Sequence, residues 1–210
     1  MVNYVITIAR QYGSGGRTIG RMLSERLKIS YYDKDILRLA SDDSGIDEGL
    51  FGRVDEYSTA THSFKKRGSE IYTGELYPPD SKEFISDENL FSYQAKVIRD
   101  LAKRESCVII GRCSNYILED LPYVLRVFVH ADWDFRMTNA AQKQSLSGKE
   151  LMKYLKKDDK RKQDFYRRFT GKRWTDATEY DLCLDSSRLG YEQCVEDIQT
   201  LLEKRVKRSE

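Results

Sequence analysis

No stretch of the chain approaches the roughly 20 apolar residues that a helix needs to cross a bilayer. Neither sign of charge is in excess: 36 lysines and arginines stand against 34 aspartates and glutamates in 210 residues. The first absence argues against a membrane protein or a membrane partner. The second removes the electrostatic footprint of bulk nucleic-acid binding, so any basic chemistry must be local. Histidines are scarce, and His62 and His130 lie too far apart to suggest a cluster. The four cysteines (Cys107, Cys113, Cys183 and Cys194) form no CxxC pair and show no metal-type spacing. Cys107 and Cys183 sit inside apolar runs and read as buried strand thiols. The N-terminus enters an apolar run within three residues and has no basic leader, which predicts no signal peptide. A reducing, cytoplasmic setting is the simpler expectation.

What is present is an ordinary globular balance, long enough for one α/β domain with a sizeable core. Tyr4-Val5-Ile6-Thr7-Ile8-Ala9 is short and β-rich, as a buried parallel strand should be. After the glycine-rich turn at 13–16, the spacing of Ile19, Met22, Leu23 and Leu27 predicts a helix from Arg17 to Lys28. A second helix is expected over Asp33 to Ser41. Residues 42–86, with Pro78-Pro79, have weak periodicity and read as an irregular, mobile insertion with short helices. Helical spacing returns at Leu90, Tyr93, Val97, Ile98 and Leu101. Strands are expected at 107–110, 124–129 and 180–184, a charged helix over 149–169 and a last helix over 191–207. Strands alternating with helices predict a parallel sheet covered on both faces.

Strand, glycine loop, then helix is the setting of a phosphate-binding loop. Backbone N–H groups can turn inward on an anion there, and the helix N-terminus adds its positive end. The usual pattern is G-x-x-x-x-G-K-[ST]. Here the chain reads Gln11-Tyr12-Gly13-Ser14-Gly15-Gly16-Arg17-Thr18. In one register Arg17 takes the lysine position and Thr18 supplies the metal-binding hydroxyl. Shifted by one residue, Gly16 takes the lysine position and Arg17 lies just beyond. Arginine is planar and bidentate where lysine is a compact point charge, so the exchange is not conservative.

These residues resemble the cytidylate kinase-like family, a divergent branch of the nucleoside-monophosphate kinases, over nearly the whole chain. The marks are 8–17 (IARQYGSGGR), 108–118 (VIIGRCSNYIL), 165–174 (FYRRFTGKRW) and 180–190 (YDLCLDSSRLG). The resemblance implies a three-layer P-loop kinase fold in a single domain. Its core would be 1–41, 87–150 and 176–210, with an acceptor-binding insertion near 42–86 and a lid near 157–175. It implies ATP and Mg²⁺ as cofactors and small nucleotides as partners, with no nucleic acid. Cytidylate kinases proper carry Gly-Arg-Asp after the middle strand, and this chain has Gly111-Arg112-Cys113. Arg112 carries over and the aspartate does not, so cytosine selectivity does not follow.

The expected site therefore has three parts. Gly13, Ser14, Gly15, Gly16, Arg17 and Thr18 hold the donor phosphates, with Thr18 on Mg²⁺. Asp185 and Arg188, closing the last strand, lie where related kinases approach the adenine, although Asp185 also suits a turn cap. Asp33, Arg38 and Arg112 hold the acceptor. Asp33 is equally suited to capping the second helix, and Arg112 to a plain salt bridge. Arg17, Arg161, Arg167 and Arg168 neutralise the transferring group, the lid's R-x-x-D-x-x-R being matched by Arg161, Asp164 and Arg167; a solvated charged helix is the alternative. Tyr166, Phe169 and Trp174 read as packing rather than as a base-stacking platform. The expected reaction is ATP-dependent phosphoryl transfer to a nucleoside monophosphate such as CMP. A kinase for a non-nucleotide acceptor and a non-catalytic anion-binding protein are the alternatives.

Overall fold

The computed structural model describes residues 3–56 and 71–206. Five strands form one sheet: β1 (Val5–Arg10), β2 (Ser30–Tyr32), β3 (Cys107–Ile110), β4 (Val124–His130) and β5 (Leu182–Asp185). All pairings are parallel and the order is β2-β3-β1-β4-β5. Every residue of β1 is buried, as expected of a central strand with both faces covered. The helices are α1 (Gly16–Leu27), α2 (Asp35–Ser44), α3 (Glu48–Arg53), α4 (Asp87–Arg104), α5 (Ser114–Ile117), α6 (Trp133–Ala141), α7 (Gly148–Thr170) and α8 (Ser186–Val206).

Alternation along the strands feeds two cores. Ile6, Ile8, Val108, Ile110, Leu125 and Val127 point to one face and pack with Ile19 and Leu23 of α1 and Val195 and Ile198 of α8. Val5, Ala9, Cys107, Ile109, Val124 and Phe128 point to the other, under residues of α2, α4 and α7. The result is the expected α/β fold, a parallel sheet between two helical layers. On the second face Phe91 of α4 stacks on Phe169 of α7 at a centroid distance of 4.0 Å. That contact and the burial of Leu155, Phe165 and Tyr166 give α7 an apolar stripe that its many charges hide from a reading of periodicity. Tyr166, Phe169 and Trp174 are buried packing residues, as expected.

Several expectations change. The strand β2 was missed because three half-buried residues are too few to show alternation. Helix α6 was also missed. The segment labelled α8 is broken at the non-helical Gly190, so a short turn from Ser186 precedes the expected helix, which starts at Tyr191. Cys183 is exposed, not buried. It lies on β5 at the sheet edge, where Leu184 takes the face under α8 and the next side chain points the other way. Of the insertion at 42–86, residues 57–70, with His62, lie outside the described residues.

Candidate phosphate-binding site

β1 ends at Arg10, and the chain turns through 11–15 onto α1. Four successive carbonyls of this turn accept hydrogen bonds, one from within the turn and three from the surrounding protein. Ser14 Oγ donates to the Gln11 carbonyl at 2.9 Å, Arg136 Nε to Tyr12 at 2.7 Å, Asn139 Nδ2 to Gly13 at 3.0 Å and Ser186 Oγ to Ser14 at 2.6 Å. Across a trans peptide the next N–H points the opposite way, so the anchors turn the following amides away from themselves. Gly15 has φ +80°, and a Cβ there would lie 2.2 Å from the Tyr191 ring. Only glycine fits both the conformation and the contact. The helix α1 then opens at Gly16 with no side-chain cap and no acidic residue in its first turn. Its N–H groups and positive dipole end therefore meet no capping carboxylate.

The loop forms one wall of a cavity of about 310 Å³. Lys143 and Gln144, Tyr154, Asp158, Arg161 and Lys162 of α7, and Lys34 complete the lining. Among the described residues six cationic side chains line it (Arg10, Arg17, Lys34, Lys143, Arg161 and Lys162), together with one carboxylate, Asp158. Asp158 pairs with both Arg161 and Lys162. Lys162 is only 4% exposed, and its ammonium lies 5.5 Å from the centroid of the Tyr12 ring. Burial, reinforced by the nearby charge of Arg10, holds its pKa below that of an ordinary lysine. The Tyr12 amide donates to Asp159 Oδ1 at 2.8 Å, which ties the loop directly to α7.

At the carboxyl ends of β1, β2 and β3 the same residue types form a closed network. Arg10 Nη2 meets Glu56 Oε1 at 2.8 Å, and the Arg112 amide donates to Glu56 Oε2 at 3.0 Å. The Arg112 guanidinium lies 3.1 Å from Asp55 through Nε and donates to the Asp33 carbonyl at 2.6 Å. Arg17 Nε lies 2.8 Å from Asp33 Oδ2. Gly111, Arg112 and Cys113 all have positive φ, at 69°, 53° and 56°. Left-handed backbone at the two non-glycine positions costs about 1–2 kcal/mol each, and the bonds from Arg112 offset it. A Cβ on Gly111 would sit 2.2 Å from Arg10 Nη1, inside the network. Burial pushes the Asp55 carboxyl up to about 6 even though Arg112 pulls it down. Burial also works to raise Glu56, yet Arg10 and Arg112 hold it below the usual range. Burial, then the negative charge of Glu56, raises the Cys113 thiol well above its ordinary value.

Among the residues expected in the site, Gly13, Gly15, Gly16, Arg17 and Arg161 line the cavity. Ser14 is buried beneath it as an anchor, and Thr18 stands on the first turn of α1. Asp33 does not cap α2, whose N-cap is Lys34; it faces Arg17 and Arg112 instead. Other expected residues lie away from this cavity. Arg112 is fully buried among carboxylates and does not reach the cavity. Arg38 points to solvent and pairs with Asp42 four residues on. Arg168 lies against Asp87 and Glu88 of α4, and Arg167 is exposed. On a helix the residue seven places from Arg161 falls near its face and the residue six places on does not, and in α7 it is Phe165 and Phe169 that are buried beside them. Asp185 takes its turn-capping role, accepting from the Ser187 amide at 3.1 Å, and Arg188 is 78% exposed beside it.

Sequence reasoning missed Arg136 and Lys162. Arg136 sits on the missed α6, where only Asp132 ahead of Trp133 hinted at a helix start. Lys162 was hidden among a run of charges, and its only signal was the four-residue spacing from Asp158.

No curated protein matches the chain. Among solved structures, an uncharacterised protein from Eubacterium ventriosum ATCC 27560 is similar at 21% identity and TM-score 0.70, covering 96% of this chain and 99% of that one. A shikimate kinase from Bacteroides thetaiotaomicron matches at 15% identity and TM-score 0.53, over 95% and 98% of the two chains. A shikimate kinase from Acinetobacter baumannii, solved in complex with shikimate, matches at 12% identity and TM-score 0.51, over 96% and 94%. These likenesses concern the fold. The sequence model of the cytidylate kinase-like family matches residues 5–188, nearly the whole folded unit, so the chain belongs to the cytidylate kinase-like family.

Proposed function

We propose that the chain transfers a phosphoryl group from ATP, bound with Mg²⁺, to a small phosphorylated acceptor, with a nucleoside monophosphate such as CMP the first candidate. The observation that carries this is the cavity itself: an uncapped helix N-terminus, a glycine loop held by its carbonyls, and six cationic side chains around one carboxylate. An anion of high charge is the ligand that such a wall fits. Gly13 to Thr18 and Arg17 would hold the donor phosphates, and Arg161 would meet them from α7. With Gly16 opening α1, Arg17 and Thr18 fall on its first turn, which favours the register that puts Arg17 in the lysine position. Among the described residues no cluster of carboxylates, cysteines and histidines forms a ready-made metal cage. A metal would therefore share the phosphate oxygens, with the Thr18 hydroxyl as its protein ligand. When bound, ATP supplies the reactive phosphoryl group and Mg²⁺ neutralises charge on its oxygens.

The protein's own work is positioning and charge neutralisation. Arg17 and Arg161 approach from opposite walls, where their forks suit phosphate oxygens. Asp33, paired with Arg17 near the end of β2, would be the carboxylate that meets an acceptor. The sealing of Arg112 favours a second reading of the acceptor side. With Arg112 held among carboxylates and away from the donor cavity, a non-nucleotide acceptor would suit the same cavity. The partnering of Arg17 with Asp33 leaves room for the third reading, a non-catalytic anion binder. One experiment separates them: ATP consumption with Mg²⁺ against a panel of nucleoside monophosphates and of small hydroxylated acids. Turnover with CMP or another monophosphate supports the first reading. Turnover only with non-nucleotides selects the second, and ATP binding without any turnover selects the third.

A further inference from the structure

We propose that Lys162 supplies, from the α7 wall, the ammonium that the phosphate loop itself lacks, and that it contacts the terminal phosphate of a bound polyphosphate. This deepens the reading of the loop cavity as a polyphosphate site and rests on it. Where the usual loop carries lysine, this chain carries Arg17, and its Nε lies 2.8 Å from Asp33. The loop's own cation is thus drawn toward the end of β2. Lys162 enters the same cavity from across it, with Nζ 5.5 Å from the ring of Tyr12, a residue of the loop.

Burying a lysine is costly unless its charge is met. Here the charge is met only in part. Asp158 pairs directly with both Lys162 and Arg161, while the nearby Glu56, already paired with Arg10, adds only a weaker pull on Lys162. A lysine serving only to staple α7 through an i, i+4 pair needs neither burial nor a place on a cavity wall, and such pairs add only about 0.2–0.5 kcal/mol. Lys162 has both. The lowered pKa, caused by burial and by Arg10, fits a group whose counter-ion is still to arrive. An entering polyphosphate would raise it again.

Calorimetry with inorganic tripolyphosphate tests this without requiring turnover. Lys162→Met should weaken binding by about tenfold or more, the size expected for losing a hydrogen bond to a charged group, while Lys162→Arg should recover most of it. Because Lys162→Met leaves Asp158 with one cation fewer and could disturb folding, the second measurement uses the unaltered side chain. In ¹⁵N-lysine-labelled protein, the Nζ resonance that is missing from Lys162→Arg should shift on adding tripolyphosphate, and its titration should move to higher pH. An unmoved resonance at saturation, equal affinity in Lys162→Met, or no binding of tripolyphosphate by the unaltered protein would each overturn the proposal. Binding that depends on Lys162 in a protein that turns over no ATP would remove phosphoryl transfer and leave this role for Lys162 standing.

Discussion

At the ends of β1, β2 and β3, Arg10 and Arg112 face Glu56, Asp55 and Asp33, and nearly every charge has its opposite within hydrogen-bond reach. Across the cavity, Arg161 and Lys162 share Asp158, with Lys143 close by. Both walls are built of arginine or lysine with acidic partners, buried or half-buried apart from the exposed Lys143. Where cation and carboxylate match, the cluster acts as scaffold and holds the left-handed turn at Arg112 and Cys113. Where cations outnumber carboxylates beside a glycine loop, the cluster is the one proposed to take an anion. Residue type does not separate scaffold from site here; local charge balance does.

The largest effect expected is on the matched wall. Arg112→Met leaves Asp55 and Asp33 buried without their main partner and should destabilise the protein by about 3–5 kcal/mol in chemical denaturation. Lys143→Met, on the unmatched wall, should leave stability within about 0.5 kcal/mol. Equal effects would erase the distinction between the walls.

Asp55 tests the same wall through pH. Its folded carboxyl is raised from 3.8 to about 6, so between those values the folded state binds the extra proton. Stability contributed by this group is then present at about pH 4 and declines as pH rises through about 6, by on the order of 3 kcal/mol. Thermal or denaturant melts of Asp55→Asn should lack that decline. A pH profile identical to that of the unaltered protein would mean that Asp55 does not carry the proton.

On the site side, Arg17→Ala should lower kcat by about a hundredfold while changing ATP affinity much less, as expected for a group used mainly in the transition state. Arg17→Lys restores the usual loop pattern and should keep or raise the rate if Gly16-Arg17-Thr18 is the working register. A fully active Arg17→Ala protein would shift the chemistry entirely to α7. The smallest effects belong to Arg38 and Arg167, which face solvent. Alanine at either should move stability by no more than about 0.5 kcal/mol and leave steady-state turnover unchanged.

The layered fold was legible because β1, β3 and β4 are short, largely apolar, β-rich runs and α1 follows a glycine turn, signals that depend on local sequence alone. The loop was legible for the same reason. Arg112 was correctly noticed at the end of a buried strand, but its fate depends on Asp55 and Glu56, more than fifty residues away in sequence. Arg167 and Arg168 show the limit of helical spacing: without knowing which face Phe165 and Phe169 bury, charges on α7 cannot be assigned to the cavity. Lys162 was hidden for the opposite reason. A lysine inside a charged run reads as solvated until the packing of α7 against the loop is seen.

The central claim is that the cavity between the loop and α7 is a polyphosphate site. Calorimetry with ATP and Mg²⁺ tests it most directly, beside Gly15→Val, whose side chain would collide with Tyr191. The account predicts saturable binding by the unaltered protein well below millimolar ATP, with loss of that binding in the valine variant. No heat at millimolar ATP, or equal binding by both proteins, would contradict it.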